Sequence, residues 1–599
     1  MSQYHAPLKE MQFVMRELAG LEQVGKLPGF EEATPDTVAA ILDEAARFAT
    51  EVLDPLNAVG DREGARLLED GTVKTAPGFK DAYLAYCANG WNGLTKSPEF
   101  GGQGLPQLVS TAVEEMWHAA NMAFDLCPLL TQGAIEAIEL TGTPEQKERF
   151  LPKMVEGVWT GTMNLTEPQA GSDLAAVRTR AVPQGDGSYK LYGQKIFITY
   201  GEQDYTENII HLVLARTPTA PEGVKGISLF IVPKFLVNGD GSLGARNDVH
   251  CVSLEHKLGI HASPTAVLAY GDHGGATGYL VGQENRGLEY MFIMMNQARF
   301  SVGLEGVGLA ERAYQRAAAY AKERVQGRAV GEGSVKGATI LQHPDVRRML
   351  LSMKAQTEAM RALAYVTAGA LDNSRAHPDK EARKQHQAFV DLMIPIVKGW
   401  CTETAQEIAY TGVQVHGGMG FIEETGAAQH YRDARIITIY EGTTGIQAND
   451  LVGRKTARDA GAAAFAVIAE MQKLDVDLGR QAGPEFAVIR RQLADAASAL
   501  RAAVAWVVET YGGDTRAAHA AAVPYLKLWG VTAGGWQMAR AALAAAKRLA
   551  EGGGDGGFHR AKIATARFYA DYFLPQASAF RHAVVTAGES VLALADEQF

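Results

Sequence analysis

Hydrophobic periodicity changes twice along the chain, near Gly161 and again near Gly287, and these two changes restrict the fold more than any other feature. Before the first, apolar residues recur at helical spacing. Thr34-Pro35 supplies an N-cap and an N1 proline. Val38, Ile41, Leu42, Ala45, Phe48, Ala49 and Val52 then share a face until Asp54-Pro55 ends the pattern. Thr143-Pro144-Glu145-Gln146 has the form of a capping box for a helix carrying Phe150, Leu151 and Met154. Gly90-Trp91 and Pro98 to Gly104 read as loop, because glycine and proline break helix and strand alike.

Between the two changes the period is two. Val177 to Val182 alternates, Asp186-Gly187 is a hairpin turn, and Tyr189 to Tyr192 resumes the alternation. Ile196 to Ile198, Ile209 to Ala215, Ile227 to Val232 and Ala266 to Tyr270 are further short strands. After Gly287, helical patterns run through Tyr290 to Arg324, His343 to Ala370 and Gln385 to Tyr410. An Ala-rich extension follows, with stripes at Leu493, Ala496, Ala497, Leu500, Ala503 and Val504, and at Leu543, Ala546 and Leu549. Gly552 to Gly557 reads as a flexible turn between helices, and the small residues on helix faces permit close packing. The expected fold is mainly α with a central β domain, an α–β–α order plus a C-terminal helical extension. The segments are an N-terminal extension (1–35), a helical domain (36–160), the β domain (161–286), a second helical domain (287–455) and the extension (456–599).

A chain of 599 residues exceeds one compact core. With 47% hydrophobic and 21% charged residues it is not broadly disordered. A net charge of −11 gives no general reason to bind nucleic acid or anionic lipid, so an anionic ligand needs a local pocket. The four cysteines lie far apart with no C-x-x-C pair, so no metal site and no disulfide framework are expected. The start, Met1 to His5, has neither signal-peptide nor transit-peptide character, and no apolar run reaches membrane-spanning length. A cytoplasmic protein with no membrane partner is the expectation.

Three segments carry chemistry. Thr166-Glu167-Pro168-Gln169-Ala170-Gly171-Ser172-Asp173, where helix is expected to give way to strand, offers backbone N–H groups and two hydroxyls to an anionic ligand. On its own such a segment is more often a well-capped loop. In Gln194-Lys195-Ile196-Phe197-Ile198-Thr199-Tyr200-Gly201, Phe197 and Thr199 are two apart and share a strand face, which suits a flat heterocycle or an ordinary core. Gln414-Val415-His416-Gly417-Gly418-Met419-Gly420 and Tyr440-Glu441-Gly442-Thr443 combine glycines that allow close backbone approach with a carboxylate beside Ile436, Ile437 and Ile439. Apolar surroundings raise a carboxyl pKa and make a better base near neutrality, although a single Glu is ordinarily a solvated charge.

Together, in this order, the segments resemble the acyl-CoA dehydrogenase family over roughly residues 36–455. Its loop Thr-Glu-Pro-x-Ala-Gly-Ser-Asp matches 166–173 in full. Its strand motif Gln-Lys-x-Trp-Ile-Thr-Asn-Gly matches 194–201, except that Phe197 replaces Trp and Tyr200 replaces Asn. Tyr-Glu-Gly-Thr matches 440–443. The resemblance implies FAD as cofactor, an acyl-CoA substrate, and Glu441 as the base that takes the α-proton while the β-hydrogen leaves as hydride. Met163, Leu165 and Thr166 would border the flavin ring, and Phe197, Ile198 and Thr199 would lie on its other side. Arg324, Gln414, Gly417, Gly418 and Thr443 match further FAD contacts. Ser172, Asn296 and Arg299 match CoA contacts. Some relatives carry the base just before that last arginine; Ala298 stands there, so no second base competes. The usual Glu-Arg-x-x-Phe-Gly is Glu323-Arg324-Val325-Gln326-Gly327-Arg328, one residue shorter and without the Phe, which puts the adenosine-side contacts in doubt.

The two extensions resemble those of the larger bacterial members, which include fatty acyl-CoA dehydrogenases and 3-(methylthio)propanoyl-CoA dehydrogenases. Medium- or long-chain fatty acyl β-oxidation is the leading expectation and the thioether substrate the alternative. A homodimer is expected, with an electron-transferring flavoprotein as acceptor. An acyl-CoA oxidase and a non-catalytic DNA-binding relative are the rival readings. Charges of both signs are interspersed from 456 to 599, against a nucleic-acid partner.

Overall fold

The structure is a computed structural model describing residues 3–330, 337–552 and 554–599. The chain forms two compact units, each assembled from separated segments: Arg47–Leu105 with Ala120–Ser301, and Met1–Ala46 with Pro106–Ala119 and Val302–Phe599.

The first unit is built on an eight-stranded sheet. Its spatial order is Val249–Leu254, Thr265–Tyr270, Tyr189–Thr199, Ala276–Leu280, Ser228–Pro233, Asn208–Ala215 and Trp159–Asn164, with Arg180–Pro183 paired to Tyr189–Thr199 off that path. All pairs are antiparallel except that between Trp159–Asn164 and Asn208–Ala215. Asn208–Ala215 and Ser228–Pro233 are buried at every position, which is why they read as continuous apolar runs. The hairpin at Asp186-Gly187 pairs Arg180 with Tyr192 and Pro183 with Tyr189. Leu191, Ile198, Val213, Phe230 and Leu268 form the core against one face.

Three features differ from expectation here. Trp159–Asn164 is a strand, so the 166–173 segment follows a strand, not a helix. Ile196–Ile198 is the end of the long strand Tyr189–Thr199. Asp54-Pro55 does not end the helical pattern: Pro35–Phe48 passes through a wide turn, Ala49–Leu53, into the helix Asp54–Glu63. Pro55 thereby falls in a first turn, where its missing N–H is not needed.

The second unit is helical. Its long helices include Pro344–Ala376, Lys380–His416, Pro484–Tyr511 and Ala522–Ala550. The expected stripe from Leu493 to Val504 is buried throughout. The stripe at Leu543, Ala546 and Leu549 is only half-buried, because the packed face of that helix runs through Gly530, Gly534, Met538, Ala541 and Ala545 instead. A Cβ on Gly530 would meet the Trp400 ring at 2.0 Å, so the glycine sets how near the two helices come. The N-terminal residues belong to this unit: Tyr4, Met11, Val14 and Met15 are buried, and Arg540 donates to the Leu18 carbonyl at 2.8 Å. In the glycine turn, Asp555 caps Gly556–Tyr572 by accepting from the amides of Gly557 and Phe558; Gly553 and the starting Met1-Ser2 lie outside the described residues. Among the described residues no helix is long and apolar enough to cross a membrane.

Candidate active site

The residues singled out above fall into two sets, one in each unit. In the sheet unit, Met163 lies next to the end of the strand Trp159–Asn164 and is half-buried, Leu165 is buried and Thr166 half-buried. The Thr166 carbonyl accepts from the Ile196 amide at 2.9 Å, so loop and strand motif are stitched directly. Below that stitch Lys195 Nζ donates to the Leu165 carbonyl at 3.0 Å and to Glu167 at 2.8 Å. Glu167 also accepts from the Thr179 hydroxyl and the Arg178 amide. Burial alone would push this carboxyl up, but the ammonium and the donors outweigh it and hold it at about 2. Burial takes Lys195 down to about 8. Sequence reasoning gave neither residue a role; their place inside both motifs was the available signal.

Phe197 does not sit as simple alternation predicts. Ile198 pairs with Ala266 and Lys195 with Leu268, so Ile196 and Phe197 together oppose Val267. This bulge holds Phe197 at φ 59° and turns its ring outward, 58% exposed, while Ile198 is buried and Thr199 half-buried. Tyr200 has φ 51° and is anchored by its hydroxyl on the Ala123 carbonyl at 2.7 Å. The family's Asn is suited to that backbone conformation; the Tyr is held in it by burial and this bond. A bare aromatic face beside two half-buried hydroxyls fits a flavin ring. Ser172 is exposed between Gly171 and Asp173. Asn296 and Arg299 share a helix face, the first exposed and the second buried.

In the helical unit, Glu441 is half-buried and held at φ 56°, followed by Gly442 at φ 89°. Gln447 Nε2 donates to the carbonyls of Glu441 (3.1 Å) and Gly442 (3.3 Å), and Lys398 Nζ donates to Gly442 at 2.7 Å. Thr443 caps Thr444–Val452 through the Ile446 amide. On the other side of Glu441, the Tyr440 hydroxyl donates to the buried carboxyl of Glu305. Burial pushes Glu305 up to about 8, opposed by that hydroxyl and by Lys398 and reinforced by the charge of Glu441. Sequence reasoning missed Glu305. Its signal was an acid alone among Gly303, Leu304, Gly306, Val307 and Gly308.

Arg324 directly follows the helix Gly287–Glu323 and is exposed. The shortened segment after it returns as Val325 pairs with Thr339 and Gln326 N–H donates to Ala338; residues 331–336 lie outside the described ones. Gln414 is exposed near the end of Lys380–His416, and Gly417 (φ 61°) and Gly418 leave open space where a Cβ would stand. Tyr320 stacks on His416 at 4.5 Å, which ties the helix ends carrying Arg324 and Gln414. Among the described residues one group, Asp248, His250 and His273, comes close enough to hold a cation. Its carboxylate accepts from the His273 and Gly275 amides at 2.8 and 3.0 Å, as a clamp on a glycine turn.

Comparison with known proteins places four family models along the chain: "Acyl-CoA dehydrogenase, N-terminal domain" on 35–158, the middle domain on 162–272, the C-terminal domain on 285–455, and "Acetyl-CoA dehydrogenase C-terminal like" on 464–595. The chain is 51% identical to the 3-methylmercaptopropionyl-CoA dehydrogenase of Ruegeria pomeroyi over 98% of its own length and 99% of the relative. It is 35% identical to a broad-specificity linear acyl-CoA dehydrogenase of Mycobacterium tuberculosis over the full length of both. An acyl-CoA dehydrogenase complexed with FAD from Bacillus anthracis shares the fold at TM-score 0.72 and 23% identity, covering 98% of this chain and 93% of that one.

Proposed function

The chain belongs to the acyl-CoA dehydrogenase family, a family of FAD-dependent oxidoreductases, and from that premise we propose that it dehydrogenates 3-(methylthio)propanoyl-CoA at Cα–Cβ, with Glu441 as the base. The 51% identity over nearly the whole of both chains carries the substrate assignment. It favours the thioether over the medium- or long-chain fatty acyl substrate, for which the support is a 35% identical relative named for broad specificity toward linear acyl-CoAs.

FAD, when bound, accepts the hydride from Cβ. Phe197, Ile198 and Thr199, with Met163, Leu165 and Thr166, would hold its ring, and Arg324, Gln414, Gly417, Gly418 and Thr443 the rest of it. The protein's own part is to make Cα acidic and to remove its proton. The Glu441 backbone N–H polarises the thioester carbonyl, and the Glu441 carboxylate takes the proton. Three side-chain anchors on residues 440–442 hold the turn that carries that carboxylate, so little orientation is lost in reaching the transition state. Arg299, Asn296 and Ser172 would hold the CoA arm.

A homodimer and an electron-transferring flavoprotein acceptor belong to the same proposal, as does a cytoplasmic location. Apolar surface at Met419, Phe421 (85% exposed) and Ile422, which a monomer would leave in water, supports the dimer.

The test is anaerobic mixing of the flavoprotein with a panel of acyl-CoAs from short and methylthio-substituted to long-chain, following flavin bleaching. Fast bleaching by the methylthio substrate, lost in Glu441→Gln while flavin stays bound, is the expected result. Preferential bleaching by long chains replaces the substrate; bleaching undiminished in the variant removes Glu441 as base.

A further inference from the structure

Glu305 lies in the middle of the helix Gly287–Glu323 with no solvent exposure. One carboxyl oxygen accepts from Tyr440, and the other has no hydrogen-bond partner among the described residues. This is a costly arrangement for a group whose only tasks are packing and solubility. The neighbouring helix is pressed close beside it: a Cβ on Gly306 would come 2.8 Å from the Cys401 carbonyl.

We propose, resting on the dehydrogenase reading above, that Glu305 is a positioning residue for α-proton abstraction: through the Tyr440 hydroxyl it fixes the turn that carries Glu441. The turn needs such a hold. Glu441 has a left-handed backbone, a conformation that non-glycine residues keep only where surrounding contacts enforce it. Lys398 and Gln447 grip the carbonyls at 441 and 442, on the far side of that residue. Glu305 grips the near side through the Tyr440 side chain, adding to the bond from the Tyr440 amide to the Ile436 carbonyl at 3.1 Å.

Glu305 performs this task as the neutral acid. A buried carboxylate requires several donors, and it has one hydroxyl. Among the described residues, the charged groups that face it are Lys398 from the neighbouring helix and Glu441 from the turn, with Tyr440 as a further titratable group. Burial and the Glu441 charge both favour the protonated form over Lys398. Neutrality spares Glu441 a second anion at its turn.

The experiment compares Glu305→Gln, Glu305→Leu and Tyr440→Phe in the flavin-loaded protein, reading kcat, KM, the pH profile of kcat/KM, and amide hydrogen exchange of residues 440–443. Glu305→Gln keeps a neutral acceptor and is expected within about threefold of wild type, with the acid limb of its pH profile unmoved. Glu305→Leu is expected to lower kcat about tenfold or more with KM little changed, and to speed exchange in the turn. Adding Tyr440→Phe to Glu305→Leu should cost nothing further, since both remove one bond. Wild-type rates and exchange in Glu305→Leu overturn the positioning role. A displaced acid limb in Glu305→Gln overturns neutrality and makes Glu305 a charge that tunes Glu441. A wild-type protein bleached by no acyl-CoA overturns the underlying function instead.

Discussion

The ammonium of Lys195 lies 2.8 Å from a carboxylate oxygen of Glu167, and both side chains are shut away from water. The pair joins the loop that follows the parallel edge strand to the strand that presents Phe197. Removing one partner leaves the other charge buried alone, so Lys195→Met should destabilise the protein by about 3–5 kcal/mol. The pH dependence has a definite sign. The carboxyl of Glu167 is depressed to about 2, so its contribution is fully present above the ordinary carboxylate range and fades as pH falls toward 2. Thermal melts of wild type and Lys195→Met between neutral pH and pH 3 should converge on acidification. Parallel curves would mean that the pair contributes nothing specific.

Phe197 is exposed because a bulge turns it outward, and the face it presents is smaller than that of the family's Trp. Phe197→Ala should weaken flavin binding by about 0.5–1.5 kcal/mol of ring contact, roughly 2- to 12-fold in Kd. Phe197→Trp should restore or exceed wild-type affinity. Apoprotein titrated with FAD, followed by fluorescence quenching, checks both. An Ala variant that binds FAD as wild type does would remove the ring from the flavin site.

What the sequence made legible was local. The Thr143 capping box and the Leu493 to Val504 stripe depend on residues within a few turns, and both stand as read. Strand Val249–Leu254 was missed because a register shift between Cys251 and Ser253 breaks its alternation. Ala276–Leu280 was missed because its glycine dilutes the β signal. Within the candidate site, family motifs pointed to Phe197 and Glu441, but not to their left-handed backbones. At Phe197 that conformation comes from pairing with residues 266–268, and at Glu441 from hydrogen bonds that span 44 and 135 residues of chain, to Lys398 and Glu305. Glu305 shows the same gap: nothing within its own helix says that Tyr440 will cover it.

Gly530 separates helix propensity from packing. Alanine is the better helix former by about 1 kcal/mol. Its Cβ at this position would nonetheless fall 2.0 Å from Trp400, a ring buried on the neighbouring helix. Overpacking should win, and Gly530→Ala should lower stability by about 1–3 kcal/mol. Combining it with Trp400→Leu should recover part of the loss. A stabilised single variant would show that the two helices can part without cost.

Lys562 binds the N-terminal residues to the rest of the helical unit. Its ammonium reaches Glu358 at 2.6 Å and also Glu10, with all three side chains largely buried. The two carboxyls differ. Glu358 keeps a second lysine, Lys354, and the two ammonium groups outweigh its burial and hold it at about 2. Glu10 accepts from the Lys562 ammonium, and burial drives its carboxyl upward. Lys562→Met should therefore cost about 3–5 kcal/mol at pH 8, where Glu10 is left charged. The cost should shrink toward pH 5, because Glu10 can then relieve itself by taking a proton while Glu358 stays paired with Lys354. Glu10→Gln on top of Lys562→Met should flatten that pH dependence and leave the loss at pH 8 smaller than in the single variant. Denaturation at both pH values measures the difference, and a loss independent of pH in Lys562→Met would mean that the lysine acts by packing its stem against Phe13 and Phe558, which its ammonium approaches within 5.7 Å of each ring centroid.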